Sequence, residues 1–271
     1  MARDVYLVLV EFGHMHERAA IELLIPMLHR VFPGAIVRTV VVDNALAGRT
    51  DFEIGHELDR VSGDNTLREF SGWDRGLAWI ERRYGPATGS IVVLANDTVV
   101  RADKHDRVRD IPADRAMAAA NGALVGWIDE YPRAVELFGV ALRQWIDTSL
   151  VLAEWSTLAA LRPLARPFAD DLLFADDWRR LFREPSPLSD NYRAYLKTYF
   201  FGERLDREFE HGWYAQEPLT EHNVEAFKLK LRCVFCEHLL SARARAQGIP
   251  LVDIRPQPLP IDPFEVVQPH G

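Results

Sequence analysis

The chain of 271 residues has few cysteines, which excludes several ways of stabilising a fold. Cys233 and Cys236 are the two that it contains; they cannot form a disulfide framework and supply only two of the four ligands of a structural zinc site. Their CxxC spacing lies inside a helical pattern rather than at a strand–helix turn. We therefore expect two reduced thiols, at least one of them packed in the core.

The chain also lacks a positive excess and a long apolar run. Its formal net charge is -8, which argues against broad nucleic-acid binding because that requires a basic face. The longest apolar runs are far shorter than the roughly 20 residues that span a bilayer. Residues 1–5 lack the apolar core of a signal peptide. The sequence therefore predicts a cytoplasmic protein with no transmembrane segment and no nucleic-acid partner.

What the first half of the chain does contain is an alternation of strand and helix patterns. Short apolar runs predict strands, and apolar residues spaced three or four apart predict helices. The predicted strands are 5–10, 35–42, 58–61, 90–95 and 123–128, and the predicted helices are 14–31 and 70–84. Such alternation is typical of a mostly parallel α/β sheet with helices on both faces, a Rossmann-like arrangement.

After about residue 130 the pattern becomes mostly helical. The predicted helices are 132–143, 154–161, 170–182, 191–200 and 224–247. Residues 1–165 are thus predicted to form an α/β region, and residues 166–250 a helical region that completes the same compact unit. Six prolines in the last 22 residues predict an extended tail over 251–271.

Two of the predicted strands end in acidic and amide side chains. The run that ends at Ala95 is followed by Asn96 and Asp97, and the run that ends at Val42 is followed by Asp43 and Asn44. Ligands of open α/β sheets bind beyond the carboxyl ends of the strands. We therefore expect these side chains to face one crevice.

A polar segment, Arg68–Asp74, opens the helix that lies between these two strand ends in the sequence. This order of motifs resembles glycosyltransferases of the GT-A fold, especially family 2 and the rhamnan-synthesis branch of bacterial polysaccharide enzymes. The segment Gln144–Ser149, followed by an apolar stretch, is also similar to that branch. The resemblance covers about residues 5–165 and implies that this region binds a nucleotide sugar.

The resemblance also implies roles for individual residues. In the family, an Asp-containing turn follows the second strand and lies near the base of the nucleotide. A DxD-like motif ends the fourth strand. The predicted nucleotide-sugar-binding residues here are Asp43, Asp64, Arg68, Asp74 and Asn96, and Glu11 is added because it ends the first predicted strand. Asp97 is predicted to bind Mg²⁺ or Mn²⁺.

The sequence departs from the family at this metal motif. The usual DxD provides two carboxylates, whereas Asn96, Asp97 and Thr98 offer one carboxylate and two neutral oxygens. Mg²⁺ often uses one or two protein carboxylates together with diphosphate oxygens and water, so this motif is compatible with a bound metal ion. The alternative is a metal-independent enzyme in which Arg68, Arg75 or Arg101 contacts the diphosphate.

An inverting transferase also needs a carboxylate that takes the proton of the acceptor hydroxyl. Asp129 and Glu130 follow a predicted strand, and Asp147 lies in the family-like segment. Asp129 and Asp147 rank equally as the base, ahead of Glu130, although each residue also suits a helix cap. His211 and His222 are weaker candidates for completing a metal site.

The resemblance implies an inverting glycosyltransferase of bacterial surface polysaccharide biosynthesis. It would use a UDP-, GDP- or dTDP-sugar donor and a glycan or lipid-linked glycan acceptor. The alternative is a non-catalytic GT-A-like module that binds a nucleotide or glycan in an assembly complex. A nucleotidyltransferase would need a glycine-rich phosphate loop after the first strand, and residues 11–18 match that poorly.

The basic segment Arg232–Arg245 indicates either peripheral contact with the inner face of the membrane or a solvated helix face.

Overall fold

A computed structural model describes residues 3–47, 53–55, 58–201 and 218–258. These residues form an eight-stranded sheet in the order β3-β4-β2-β1-β5-β7-β6-β8. The strands are β1 (Asp4–Glu11), β2 (Ile36–Asp43), β3 (Glu53–Ile54), β4 (Leu58–Ser62), β5 (Ile91–Asn96), β6 (Leu124–Leu137), β7 (Val140–Glu154) and β8 (Leu251–Asp253). Only β3 and β7 run against the other described strands. The predicted mostly parallel α/β sheet is confirmed.

Helices cover both faces of the sheet. They are α1 (Glu17–Val31), α2 (Arg68–Tyr84), α3 (Ala102–Arg109), α4 (Ala113–Met117), α5 (Trp155–Leu161), α6 (Asp170–Leu173), α7 (Asp190–Phe201) and α8 (Val224–Ala246). Successive side chains of a strand point to opposite faces, and β1 shows this clearly. Leu7 and Leu9 pack with α1, whereas Tyr6 and Val8 pack with α2 and α8. Both sets are buried, so β1 is a central strand.

Helix α2 packs unusually close to the sheet. A Cβ atom added at Gly76 would lie 2.4 Å from Val8 Cγ1, so only glycine lets the helix approach this far. Trp73 is fully buried at the same interface, and its Nε1 donates a hydrogen bond to the Ala95 carbonyl (3.1 Å). This bond joins α2 to the end of β5, next to Asn96 and Asp97.

The predicted helix over 132–143 is wrong. These residues form the two arms of a long β6–β7 hairpin, which turns at Phe138 and Gly139. Both turn residues have positive φ values, 50° and 75°, as a tight hairpin turn requires. The predicted helix over 170–182 is also mostly wrong, because only α6 and one 3-10 turn, Trp178–Arg180, are helical there.

Helix α8 confirms the predicted long helix near the C-terminus and the predicted state of the thiols. Cys233 and Cys236 are free and buried, and burial raises the pKa of Cys236 to about 12.

The arginines of α8 that suggested membrane contact form ion pairs and hydrogen bonds with other residues of the chain. Arg232 pairs with Asp170, and Arg243 donates to the carbonyls of Leu161 and Pro163.

The region predicted as a tail begins with β8, which pairs in parallel with β6. Residues 259–271 lie outside the described part of the chain. Across the described residues, none of the helices combines the length and apolarity needed to cross a bilayer.

Candidate functional site

A cleft of about 1330 Å³ opens at the carboxyl edge of the sheet. Strand β1 lies between β2 and β5: the chain runs outward from β1 to β2 and β4 and then crosses back to β5 on the other side of β1. Such a switch point is where α/β sheets bind ligands. Seven of the predicted site residues line this cleft: Glu11, Arg68, Asn96, Asp97, Asp129, Glu130 and Asp147.

Asp97 stands where β5 ends, on the side of the cleft formed by the parallel strands. The Asn96 side chain accepts a hydrogen bond from Thr98 N (3.0 Å) and thereby caps the short 3-10 helix that follows. The amide oxygen of Asn96 is therefore occupied as a hydrogen-bond acceptor, whereas the Asp97 carboxylate lines the cleft. Burial, followed by the nearby Glu69 charge, raises the pKa of Asp97, against the lowering effect of His16.

Arg68 lines the cleft and is the first residue of α2. Its φ is +47°, and its carbonyl accepts a hydrogen bond from Asn44 Nδ2 (3.1 Å). His14 and Asn65, in loops at the same edge of the sheet, also have positive φ values. Strained backbone conformations persist only where the surrounding structure holds them, and they cluster at ligand sites.

Three predicted site residues do not line the cleft. Asp43 accepts hydrogen bonds from Gly13 N (3.0 Å) and Ala45 N (2.8 Å), and so joins the loop after β1 to the end of β2. Asp64 accepts from Thr66 N (2.9 Å); burial would raise its pKa, but hydrogen bonds to Thr66 and Ser71 lower it.

Asp74 is the third of these residues, and it lies on α2. Its carboxylate accepts hydrogen bonds from Leu164 N (3.0 Å) and Ala165 N (2.8 Å), which joins α2 to the segment after α5. Burial raises its pKa. Direct contact of Asp43, Asp64 and Asp74 with a nucleotide stays a prediction.

The hairpin forms a second wall of the cleft and carries a pair of carboxylates. Asp129 pairs in register with Trp145, and Asp147 with Trp127, so the two acids are diagonal neighbours on one face. The Asp129 side chain is open to solvent at the cleft, but desolvation by the surrounding groups and the charge of Asp147 raise its pKa to about 6.

Asp147 is held in its ionised form by its partners. Lys104 Nζ lies 3.0 Å from Oδ2, and Ser149 N and Oγ each donate to Oδ1 at 2.7 Å. Burial alone would raise the pKa of Asp147, but Lys104 and Ser149 lower it. The two acids are therefore unequal: Asp129 can exchange a proton near neutral pH, whereas Asp147 remains an anion.

A bulge in β7 shapes this wall. Gly126 pairs with Val151 but Trp127 pairs with Asp147, so residues 148–150 have no counterpart in β6. Bulges of this kind often lie beside active sites and redirect side chains. Here Thr148 donates hydrogen bonds from N and Oγ1 to Glu237 of α8. Burial and the charge of Asp147 raise the pKa of Glu237 to about 7.

The sequence did not indicate several residues that line the cleft. Lys104 lies in α3, which the sequence did not predict, and Glu237 lies in the predicted long helix α8, whose pattern indicates only a solvated and a buried face. Aromatic side chains also contribute, and of these only Trp145 lies in a segment that the sequence singled out: Tyr131, Trp145, Tyr195 and Tyr199. His238 is buried beneath them within 3.1 Å of the Tyr131 hydroxyl, and burial lowers its pKa to about 3. His238 is therefore neutral.

His211 lies outside the described residues, and His222 is exposed just before α8 and does not line the cleft.

Comparisons with known proteins add little to this geometry. No family model matches the chain, and no curated protein matches it. One similar solved structure is the crystal structure of 4-diphosphocytidyl-2C-methyl-D-erythritol synthase, at 12% identity and a TM-score of 0.36. The match covers 60% of this chain and 79% of that one. This similarity is too low to inform fold or function, which rest on the geometry of the chain itself.

Proposed function

We propose that the chain is an inverting glycosyltransferase that uses a nucleotide-sugar donor. The observation that carries the proposal is that one cleft is lined both by Asp97, just after β5, and by Asp129, on the hairpin. Asp97 lies at the switch point, where the diphosphate of a nucleotide is expected. Asp129 has a pKa of about 6, which suits a general base at neutral pH.

The donor is proposed to lie along the ends of β1 and β5, with Arg68 near its phosphates. Asp97 is the residue that would bind Mg²⁺ or Mn²⁺. The Asn96 oxygen is not the proposed ligand, because it already accepts the hydrogen bond of its cap. Diphosphate oxygens and water would supply the other ligands. When bound, the cation would offset the charge that develops on the departing diphosphate.

The acceptor is proposed to enter from the hairpin side of the cleft. Asp129 would take the proton of the acceptor hydroxyl, and Asp147, fixed by Lys104, would help to keep that proton on Asp129. Tyr195 and Tyr199 line this side and offer flat, apolar faces with polar hydroxyls, which suit a sugar ring. A glycan or lipid-linked glycan of bacterial surface polysaccharide assembly is the proposed acceptor class, at a cytoplasmic site.

Calorimetric titration with UDP-, GDP- and dTDP-sugars, each with and without Mn²⁺, tests the donor half. We expect one donor class to bind, and to bind more tightly with Mn²⁺. Asp97→Asn should weaken that binding about 10- to 100-fold, because a charge-assisted contact is worth about 1.5–3 kcal/mol. Asp171→Asn, at an exposed position, is the matched control. Failure of every donor to bind would contradict the proposal.

The single carboxylate of the metal motif favours a second candidate, a non-catalytic module that binds a nucleotide or glycan. Turnover separates the two candidates. Slow donor hydrolysis by the wild-type chain that disappears in Asp97→Ala would exclude the binding-only module. Tight donor binding with no hydrolysis or transfer to any acceptor would favour it.

A further inference from the structure

The loop after β1 brings two carboxylates and an imidazole together beside the cleft. Glu11 ends β1, His14 lies in the loop, and Glu17 opens α1. His14 Nδ1 lies 3.3 Å from Glu11 Oε1 and 3.1 Å from Glu17 Oε2, and one donor atom from each residue falls within 4.8 Å of the others. The three side chains therefore converge on one point.

Glu11 is the unusual member of this cluster. It is 3% exposed, and its oxygens accept no hydrogen bond from a described N–H group; the groups they contact are the Glu17 carboxyl and the His14 imidazole. A buried carboxylate without donors is costly, and proteins normally satisfy it with hydrogen bonds or a metal ion. Its Oε1 points at His14 Nδ1, so the unsatisfied oxygen faces the centre of the cluster.

The distances match the ligand shell of a small cation. Ligands about 2.0–2.2 Å from a divalent metal lie roughly 3.0–3.5 Å from each other in octahedral or tetrahedral geometry. The two measured separations, 3.1 Å and 3.3 Å, fall in this range. Imidazole favours Zn²⁺ and similar transition metals over Mg²⁺, which prefers oxygen ligands.

Asp43 supplies the outer support that such a site needs. Its Oδ2 is buried, and the His14 Nε2 atom lies 3.3 Å from it in an ion-pair contact. A metal-binding histidine commonly donates its second ring N–H to a carboxylate in this way. Asp43 is itself fixed by Gly13 N and Ala45 N.

We infer that Glu11, His14 and Glu17 bind a divalent transition-metal cation of the Zn²⁺ class, with Asp43 orienting the imidazole. Arg60 pairs with Glu17 and offsets part of the remaining negative charge. The cation joins the end of β1 to the first turn of α1 and so fixes one edge of the cleft. This site is separate from the cation proposed at Asp97 and does not depend on the proposed transfer reaction.

The test is equilibrium dialysis of the full untagged chain against ZnCl₂, without nucleotide, followed by elemental analysis. We expect one Zn²⁺ per chain, with at least tenfold weaker binding of Mg²⁺. His14→Ala should abolish this binding, and Asp43→Asn should weaken it about 10- to 100-fold. His29→Ala and Glu22→Gln, exposed matched controls on α1, should bind as the wild type does.

Two further measurements separate this site from its alternatives. Asp97→Asn should retain the Zn²⁺, even if it loses nucleotide binding. Co²⁺ loaded in place of Zn²⁺ should give a visible absorption band that disappears in His14→Ala. Because His14 is exposed, this variant should fold even if Glu11→Gln does not. Equal binding by the wild type and His14→Ala, or loss of binding only in Cys233→Ala, would overturn the inference.

Discussion

The two walls of the cleft position their functional side chains in different ways. On the parallel-strand wall, Asp97 lies just beyond a strand end and is held by backbone caps and close helix packing. On the hairpin wall, Asp129 and Asp147 lie within paired strands and are tuned by neighbouring charges. The first wall therefore depends on backbone geometry, and the second on electrostatics. Substitutions should separate these two kinds of dependence.

The largest expected effect is on the hairpin wall, in Asp129→Asn. If Asp129 is the base, donor hydrolysis or transfer should fall about 10²- to 10⁴-fold. The wild-type rate should rise with pH and level off above about 6, since the base must lose its proton to act. Asp129→Asn should lose this inflection while donor affinity stays unchanged. The pH profile of turnover and the titrated affinity are the two measurements.

Glu237→Gln provides the competing case, because the pKa of Glu237 is raised to about 7. An inflection that survives in Asp129→Asn but disappears in Glu237→Gln would assign the base to Glu237 instead.

The next effect concerns stability on the same wall. Lys104→Met leaves the Asp147 carboxylate without its cation in a mostly buried setting, and we expect a loss of about 2–3 kcal/mol in the free energy of unfolding. Asp147 has a lowered pKa, so its pairing contributes stability that is lost as pH falls through that pKa. The difference between wild type and variant should therefore shrink in acid. Urea unfolding at several pH values measures both effects.

Lys228→Met is the matched control for this loss. Lys228 pairs with the exposed Glu225, and such a pair contributes under about 1 kcal/mol. A loss in Lys104→Met no larger than in the control would show that the pair with Asp147 is not a stabilising one.

The smallest expected effect tests the parallel-strand wall, through Gly76→Ala. Alanine favours a helix by about 1 kcal/mol over glycine, but its Cβ would collide with Val8. Overpacking costs about 1–3 kcal/mol, so we expect a net loss of up to about 2 kcal/mol in the free energy of unfolding. Chemical denaturation measures it, and Val8→Ala in the same chain should recover part of the loss. A more stable Gly76→Ala variant would mean that α2 can move away from the sheet.

The parallel-strand wall was the more predictable from the sequence. Its strands are continuous apolar runs, and polar residues mark where they end, as at Asn96 and Asp97. The strand and helix pattern therefore predicted both the sheet and one side of the cleft. It did not distinguish Asp43, whose hydrogen bonds to Gly13 and Ala45 depend on a loop that only the folded chain assembles.

The hairpin was missed for a specific physical reason. Residues 135, 137, 142 and 146 are buried in the alternation of two paired strands, but the turn between them lacks the usual Asn-Gly or Asp-Gly signal. Phe138 occupies a positive-φ turn position that bulky residues rarely adopt. The contacts of Lys104 and Glu237 with this hairpin join residues 43 and 89 positions apart, a separation that no local pattern reports.

The bulge at residues 148–150 makes the hairpin an arm with two independent segments. Its base, residues 150–154, is paired to β5, whereas the outer part of β7 is paired to β6 alone and is supported by Ser241 of α8. Insertions or deletions near Phe138 and Gly139 would change the length of the arm without shifting the register of the central sheet. The fold can therefore vary the hairpin wall of the cleft while the neighbouring parallel-strand wall keeps its geometry.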